Sequence, residues 1–248
     1  MPEFLTTPEG RRIAYHRTPG TGPGILFCGG FRSDMQGSKA QYLEDRARAE
    51  GRAFLRFDYS GHGESDGAFT DGAIGDWKRD AAAVLEALTE GPQILVGSSM
   101  GGWISLLLAR ETPERVAGFV GIAAAPDFTE DGFWAGFTEA ERAEIAAGRP
   151  VEIPSDYEAP YQITPRLIAE GRENLILRSP LPLPCAARFL LGTADTAVSV
   201  ATTLRLLDHV EGSDIRLTLV KGADHRFSDP DCLALISEAI DDVTRRAG

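Results

Sequence analysis

The pentapeptide GSSMG, Gly97–Gly101, has the G-x-S-x-G form in which a tight strand-to-helix turn pushes a serine out as a nucleophile. An apolar run, QILVGS (Gln93–Ser98), precedes it, and the helix-like SMGGWISLLLARE follows almost at once. The turn needs glycine on both sides because a Cβ there collides with the neighbouring strand or helix, and the helix start beneath the serine favours developing negative charge. Ser99 is therefore the candidate nucleophile, whereas Ser98 stands one residue early and points elsewhere.

A serine needs a base, and the chain holds four histidines: His16, His62, His209 and His225. After an elbow of this kind the acid and then the histidine follow along the chain, the histidine on a loop after the last strand. His225, in KGADHRF between the apolar IRLTLV and the final helix, has that place. His209 sits near a helix end, where imidazoles cap carbonyls. His16 precedes the nucleophile, and His62, in DYSGHGESDG, reads as a turn residue. The acid should leave the end of a strand between serine and histidine, and Asp195, just after ARFLLG, does so. Its task is to fix the imidazole tautomer and stabilise the imidazolium. Asp127, after IAAAP, is the rival, and Asp224 is too close in sequence to face the ring.

An acyl-transfer site also needs two backbone donors for an oxyanion. The N–H of Met100, which follows the nucleophile, is one, and that of Phe31, in the CGGFRSD turn, is the other. Two further patterns fail. Gly61, Gly63 and Gly67 lack dinucleotide-loop spacing, and the scattered histidines have no carboxylates at metal-ligand spacing. No metal and no cofactor is expected.

The elements that must position these groups are legible as apolar runs alternating with helical periods. Strands are expected at Ile25–Gly30, Ala53–Asp58, Gln93–Ser98, Val116–Ala125, Ala187–Gly192 and Ile215–Val220. Helices are expected at Lys39–Glu50, Trp77–Leu88, after Ser99, near Val200–His209 and near Cys232–Arg245, with an antiparallel pair of strands before Gly20. Apolar strands separated by helices imply an α/β fold, a mostly parallel central sheet covered on both faces. The 248 residues suit a single domain, 1–248. Between Pro126 and Pro184 no strand is evident, and the stretch reads as an inserted, short helical cap. Phe128, Phe133, Trp134 and Phe137 in that cap are candidates to line a substrate channel.

Composition narrows the function classes. There are 25 basic against 37 acidic residues, a net charge of −12, so neither nucleic acid nor an anionic membrane surface is an expected partner. No apolar run is long enough to span a bilayer, so no stable membrane insertion is expected. The three cysteines form no disulfide or zinc pattern. The N-terminus shows no leader, which gives a cytoplasmic expectation. The expected partner is a small-molecule or acylated substrate, and oligomeric state is not readable.

FDYSGHGESDG (Phe57–Gly67), GPQILVGSSMGGW (Gly91–Trp103), MQGSKA (Met35–Ala40) and Asp224–His225–Arg226 together resemble the α/β-hydrolase superfamily. More narrowly, they resemble the mitochondrial palmitoyl-protein thioesterase and acyl-glucuronide esterase branch of the abhydrolase-domain proteins, over nearly the whole chain. The resemblance implies the α/β-hydrolase fold and a serine carboxylesterase or acyl-thioesterase, with nucleophile, acid and base at Ser99, Asp195 and His225 and no cofactor. Superfamily members with an aspartate nucleophile are excluded by Ser99. A lactonase, a C–C hydrolase, a transacylase and a non-catalytic ligand-binding scaffold stay open as alternatives.

Overall fold

The computed structural model describes residues 1–154 and 160–247; residues 155–159, inside the segment expected to form the cap, lie outside the described residues. Eight strands form one sheet: β1 (Glu3–Thr6), β2 (Arg12–Thr18), β3 (Thr21–Cys28), β4 (Arg52–Phe57), β5 (Gln93–Ser98), β6 (Val116–Ile122), β10 (Ala186–Gly192) and β12 (Ile215–Val220). Their spatial order is β1-β2-β4-β3-β5-β6-β10-β12. The first two strands pair antiparallel, and β2 also runs antiparallel to β4. From β4 to β12 every pairing is parallel. This is the expected sheet with its antiparallel lead-in.

Seven α-helices are described: α1 (Ser38–Glu50), α2 (Ile74–Leu88), α3 (Met100–Glu111), α4 (Glu139–Ala146), α5 (Pro165–Glu173), α6 (Val200–His209) and α7 (Pro230–Arg245). On one face of the sheet the core joins Leu26, Leu95 and Phe119 to Trp77 of α2 and Trp103 of α3. On the other it joins Ile25, Val96 and Val120 to Leu43 of α1 and Ile240 of α7. Strands β3, β5 and β6 are therefore covered on both faces, which is why they read as unbroken apolar runs. At the edge, β12 alternates instead, with Leu219 exposed.

The stretch between β6 and β10 departs from the reading of a strandless segment. It holds β7 (Val151–Ile153) and β8 (Tyr161–Ile163), paired antiparallel with Val151 opposite Ile163, and β9 (Leu181–Pro182), which pairs with β11 (Val210–Glu211). Runs of two or three residues carry too few alternations to announce a strand. A π-helical turn, Thr129–Trp134, and helices α4 and α5 make up much of the rest. The segment is fastened at its ends. Trp103 Nε1–H donates to the Asn174 carbonyl at 3.0 Å, and the fully buried Asp127 carboxylate accepts the N–H groups of Ile176 and Leu177 at 2.8 and 3.0 Å.

Candidate active site

Strand β5 ends at the buried Ser98, and α3 begins at Met100, so Ser99 alone makes the turn between them. Its backbone lies at φ 54° and ψ −118°, a conformation that L residues rarely adopt and that a folded structure must hold against local strain. Three main-chain hydrogen bonds hold it. Ser99 N–H donates to the Ile122 carbonyl at 2.9 Å, while the Ser99 carbonyl accepts from Gly102 at 2.9 Å and Ala125 at 3.1 Å. The flanking glycines are steric necessities: a Cβ on Gly97 would lie 2.4 Å from the Gly101 carbonyl oxygen, and one on Gly101 only 2.0 Å from that of Cys28.

His225 comes from the loop between β12 and α7, and Asp195 from the turn after β10. His225 Nε2 is 3.1 Å from Ser99 Oγ, and its Nδ1 is 2.8 Å from Asp195 Oδ2. A carboxylate only accepts, so Nδ1 carries the proton and Nε2 presents its lone pair to the serine hydroxyl. Asp195 is held in turn: its Oδ1 accepts the N–H groups of Ala197 at 2.8 Å and Val198 at 2.7 Å, and its side chain is fully buried. The imidazole is about one-third exposed, leaving an approach from the serine side.

The other titratable candidates are occupied elsewhere. Asp127 is spent on the 176–178 segment, where it also pairs with Arg178. Asp224 turns back to accept Phe227 N–H at 3.1 Å. His209 lies against the carbonyls of Ile176 and Ser179, and burial pushes the His16 imidazole down. Among the described residues no three His, Cys, Asp or Glu side chains gather as a metal site.

Met100 N–H heads α3, where an amide has no carbonyl one turn back to receive it. The other donor expected from the sequence, Phe31 N–H, makes no hydrogen bond among the described residues. Its turn lies against Ser99, since a Cβ on Gly30 would come within 3.5 Å of Ser99 Cβ. Burial pushes the thiol of Cys28, just before this turn, up to about 11.

Phe31 also collects an aromatic cluster. Its ring centroid is 5.6 Å from that of Phe128 and 5.8 Å from that of Phe133, and Phe69 and Tyr161 join it at 4.9 and 5.3 Å. Two of the four aromatics expected to line a channel are thus brought together here. Trp134 and Phe137 are not: they pair with each other at 6.3 Å, and the Arg172 guanidinium lies over the Trp134 ring at 4.4 Å. Sequence reasoning missed Phe69 and Tyr161, which no periodicity singles out. It also passed over His62, which lies on the expected turn but is buried. The two short loops that meet here are joined by Asp58, whose carboxylate accepts Met35 N–H at 2.6 Å and Glu64 N–H at 2.9 Å.

Comparison with known proteins agrees with this architecture. A family model described as the alpha/beta hydrolase fold matches residues 24–166. The mitochondrial palmitoyl-protein thioesterase ABHD10 of Rattus norvegicus is 39% identical over 97% of this chain and 81% of its own. Mouse alpha/beta hydrolase domain-containing protein 10 superposes with a TM-score of 0.93, 35% identity and 100% of both chains covered. A crystal structure from Agrobacterium vitis S4 gives 0.93 and 37% over 98% of both chains. These names correct the cytoplasmic expectation: relatives matched over 97% of this chain are named mitochondrial, so the location read from the first residues does not hold. Among the described residues no helix is long and apolar enough to cross a membrane. With fold, sheet order and relatives in agreement, the chain belongs to the alpha/beta hydrolase fold family, in the branch of the ABHD10 palmitoyl-protein thioesterases, and is a hydrolase.

Proposed function

We propose that the protein is a serine hydrolase that cleaves carboxylic esters or acyl thioesters through an acyl-enzyme on Ser99. The observation that carries this reading is the unbroken hydrogen-bonded line Ser99 Oγ, His225 and Asp195, at 3.1 and 2.8 Å, on a strained elbow. Ser99 Oγ attacks the acyl carbon as its proton passes to His225 Nε2, and Asp195 stabilises the imidazolium that forms. The N–H groups of Phe31 and Met100 receive the oxyanion. His225 then gives its proton to the departing alcohol or thiol, and water deacylates the serine with the same base.

The acyl chain is given the space beside Phe31, Phe128 and Phe133, whose rings are mutually edge-on or tilted and half-buried. Trp134 and Phe137, paired apart from that cluster, are given a packing role. The relatives named as palmitoyl-protein thioesterases support a thioester with a long acyl chain as the preferred substrate. The test is kcat/KM for matched oxygen esters and thioesters, each with a short and a long acyl chain, with Ser99→Ala as the blank. The long thioester is expected to lead. Fastest turnover of a short oxygen ester would confine the likeness to the acyl-transfer groups.

A further inference from the structure

His62 follows β4 and reads, from sequence, as a turn residue. It is only 4% exposed, and the rings of Tyr59, Phe69 and Trp77 meet its imidazole edge-on with centroids 5.1–5.6 Å away. Both ring nitrogens are engaged. Nδ1 lies 3.2 Å from the Ser60 carbonyl, and Nε2 lies 3.3 Å from Arg32 N. A carbonyl can only accept, so Nδ1 bears the proton and Nε2 keeps a lone pair for Arg32 N–H. Burial pushes this imidazole down to about 4, so that lone pair persists at neutral pH.

The far side of the ring is anchored deeply. The Ser60 carbonyl accepts from Trp77 Nε1–H as well, at 3.1 Å, while Ser60 N–H and Oγ–H donate to Asp80 Oδ2 at 2.9 and 2.7 Å. Asp80 is fully buried and pairs with Arg11 at 2.7 Å. The near side is where rigidity matters. Arg32 sits at φ 55°, a left-handed conformation that a non-glycine residue keeps only when its surroundings impose it. One peptide further back, the Gly30–Phe31 unit carries the Phe31 N–H, which is free of any partner among the described residues.

We infer that His62 is a positioning residue for the oxyanion-binding turn: by accepting Arg32 N–H it fixes the 30–32 backbone so that Phe31 N–H stays aimed at the acyl oxygen above Ser99. This rests on the role given above to the Phe31 amide. An imidazole serving only as core filler would be replaceable by an apolar side chain without effect on the chemistry. A clamp is replaceable only by another acceptor at the Nε2 position.

The experiment compares His62→Leu, His62→Gln and His62→Asn with the unaltered protein. Glutamine sets an amide oxygen near the Nε2 position, whereas asparagine reaches only as far as Nδ1 and leucine offers no acceptor. For each protein kcat and KM on one ester are measured at a temperature below its Tm, with the affinity of a trifluoromethyl ketone that adds to the serine as an oxyanion-bearing hemiketal. His62→Leu and His62→Asn are expected to lose about tenfold or more in kcat, below the full loss on deleting an oxyanion donor. KM should stay within about twofold, ketone affinity should fall in step with kcat/KM, and His62→Gln should regain most of the loss. If leucine prevents folding, the glutamine–asparagine pair carries the comparison alone. Equal kcat and equal ketone affinity across the folded variants would overturn the inference while leaving the serine reading intact. An unaltered protein that forms no hemiketal would overturn both.

Discussion

The Lys39 ammonium, on α1, donates to the main-chain carbonyl of Arg226, the residue that follows His225, and lies 3.4 Å from Ser228 Oγ. The loop that carries the imidazole is thereby tied to α1, which shares one face of the sheet with α7. Burial pushes this ammonium down to about 8, with Asp224 pulling the other way and Arg226 adding to the fall.

Discharging Lys39 replaces a charge-assisted hydrogen bond with a weaker neutral one, so kcat/KM should decline as pH rises through about 8. The effect on folding has the opposite sign. The folded value lies below that of the unfolded chain, so the unfolded state binds the extra proton and this group's contribution to stability grows from about pH 8 upward. Lys39→Arg, which stays charged, should move the alkaline decline to higher pH. Lys39→Met should lower kcat and flatten that limb. The pH–rate profiles of the three proteins check it, and an unchanged alkaline limb in Lys39→Arg would remove Lys39 from the account.

Asp195 and Asp127 were rivals in the sequence and are opposites in the structure, one on the imidazole and one on the 176–178 backbone. Asp195→Asn should lower kcat by about three to four orders of magnitude, because an amide there favours the wrong imidazole tautomer. Its Tm should change little by comparison. Stopped assays at high enzyme concentration, with a thermal melt of the same sample, check both.

Asp127→Ala should do the reverse. It strands two buried N–H groups, for a loss of about 2–4 kcal/mol in folding free energy, while the folded fraction keeps most of its kcat. Urea titration gives the first quantity and an active-site count the second. A loss of kcat matching that of Asp195→Asn would reopen its candidacy as the acid.

The aromatic cluster divides by contact. Phe128→Ala, beside Phe31, should shift acyl-length preference by about tenfold for a chain that fills the space, the scale of one or two methylenes in an apolar pocket. Trp134→Ala, removed from that cluster, should leave the preference unchanged and lower stability. Ratios of kcat/KM across an acyl series separate the two.

The main elements, and the three side chains that meet at 3.1 and 2.8 Å in the candidate site, were legible because each leaves a local trace. Gly97, Ser99 and Gly101 form a pattern that falls within five residues, and Asp195 and His225 each follow an apolar strand closely. What was not legible depends on contacts between distant segments. Tyr161 reaches Phe31 across about half the chain, and Trp134 reads like Phe133 until Arg172 from α5 stacks on it. His62 looks like any polar residue between two glycines, and only the three rings that enclose it make it a buried one. The short strands β7 and β8 exist by packing Val151 and Ile163 inward, not by intrinsic pattern.

The most direct test of the central claim is mass spectrometry of the intact protein, then of its peptides, after reaction with a fluorophosphonate and separately with a slowly deacylating ester. The account predicts one adduct per chain, mapped to Ser99, and its absence together with hydrolysis in Ser99→Ala. An adduct on another residue, or ester hydrolysis by Ser99→Ala at the unaltered rate, would contradict it.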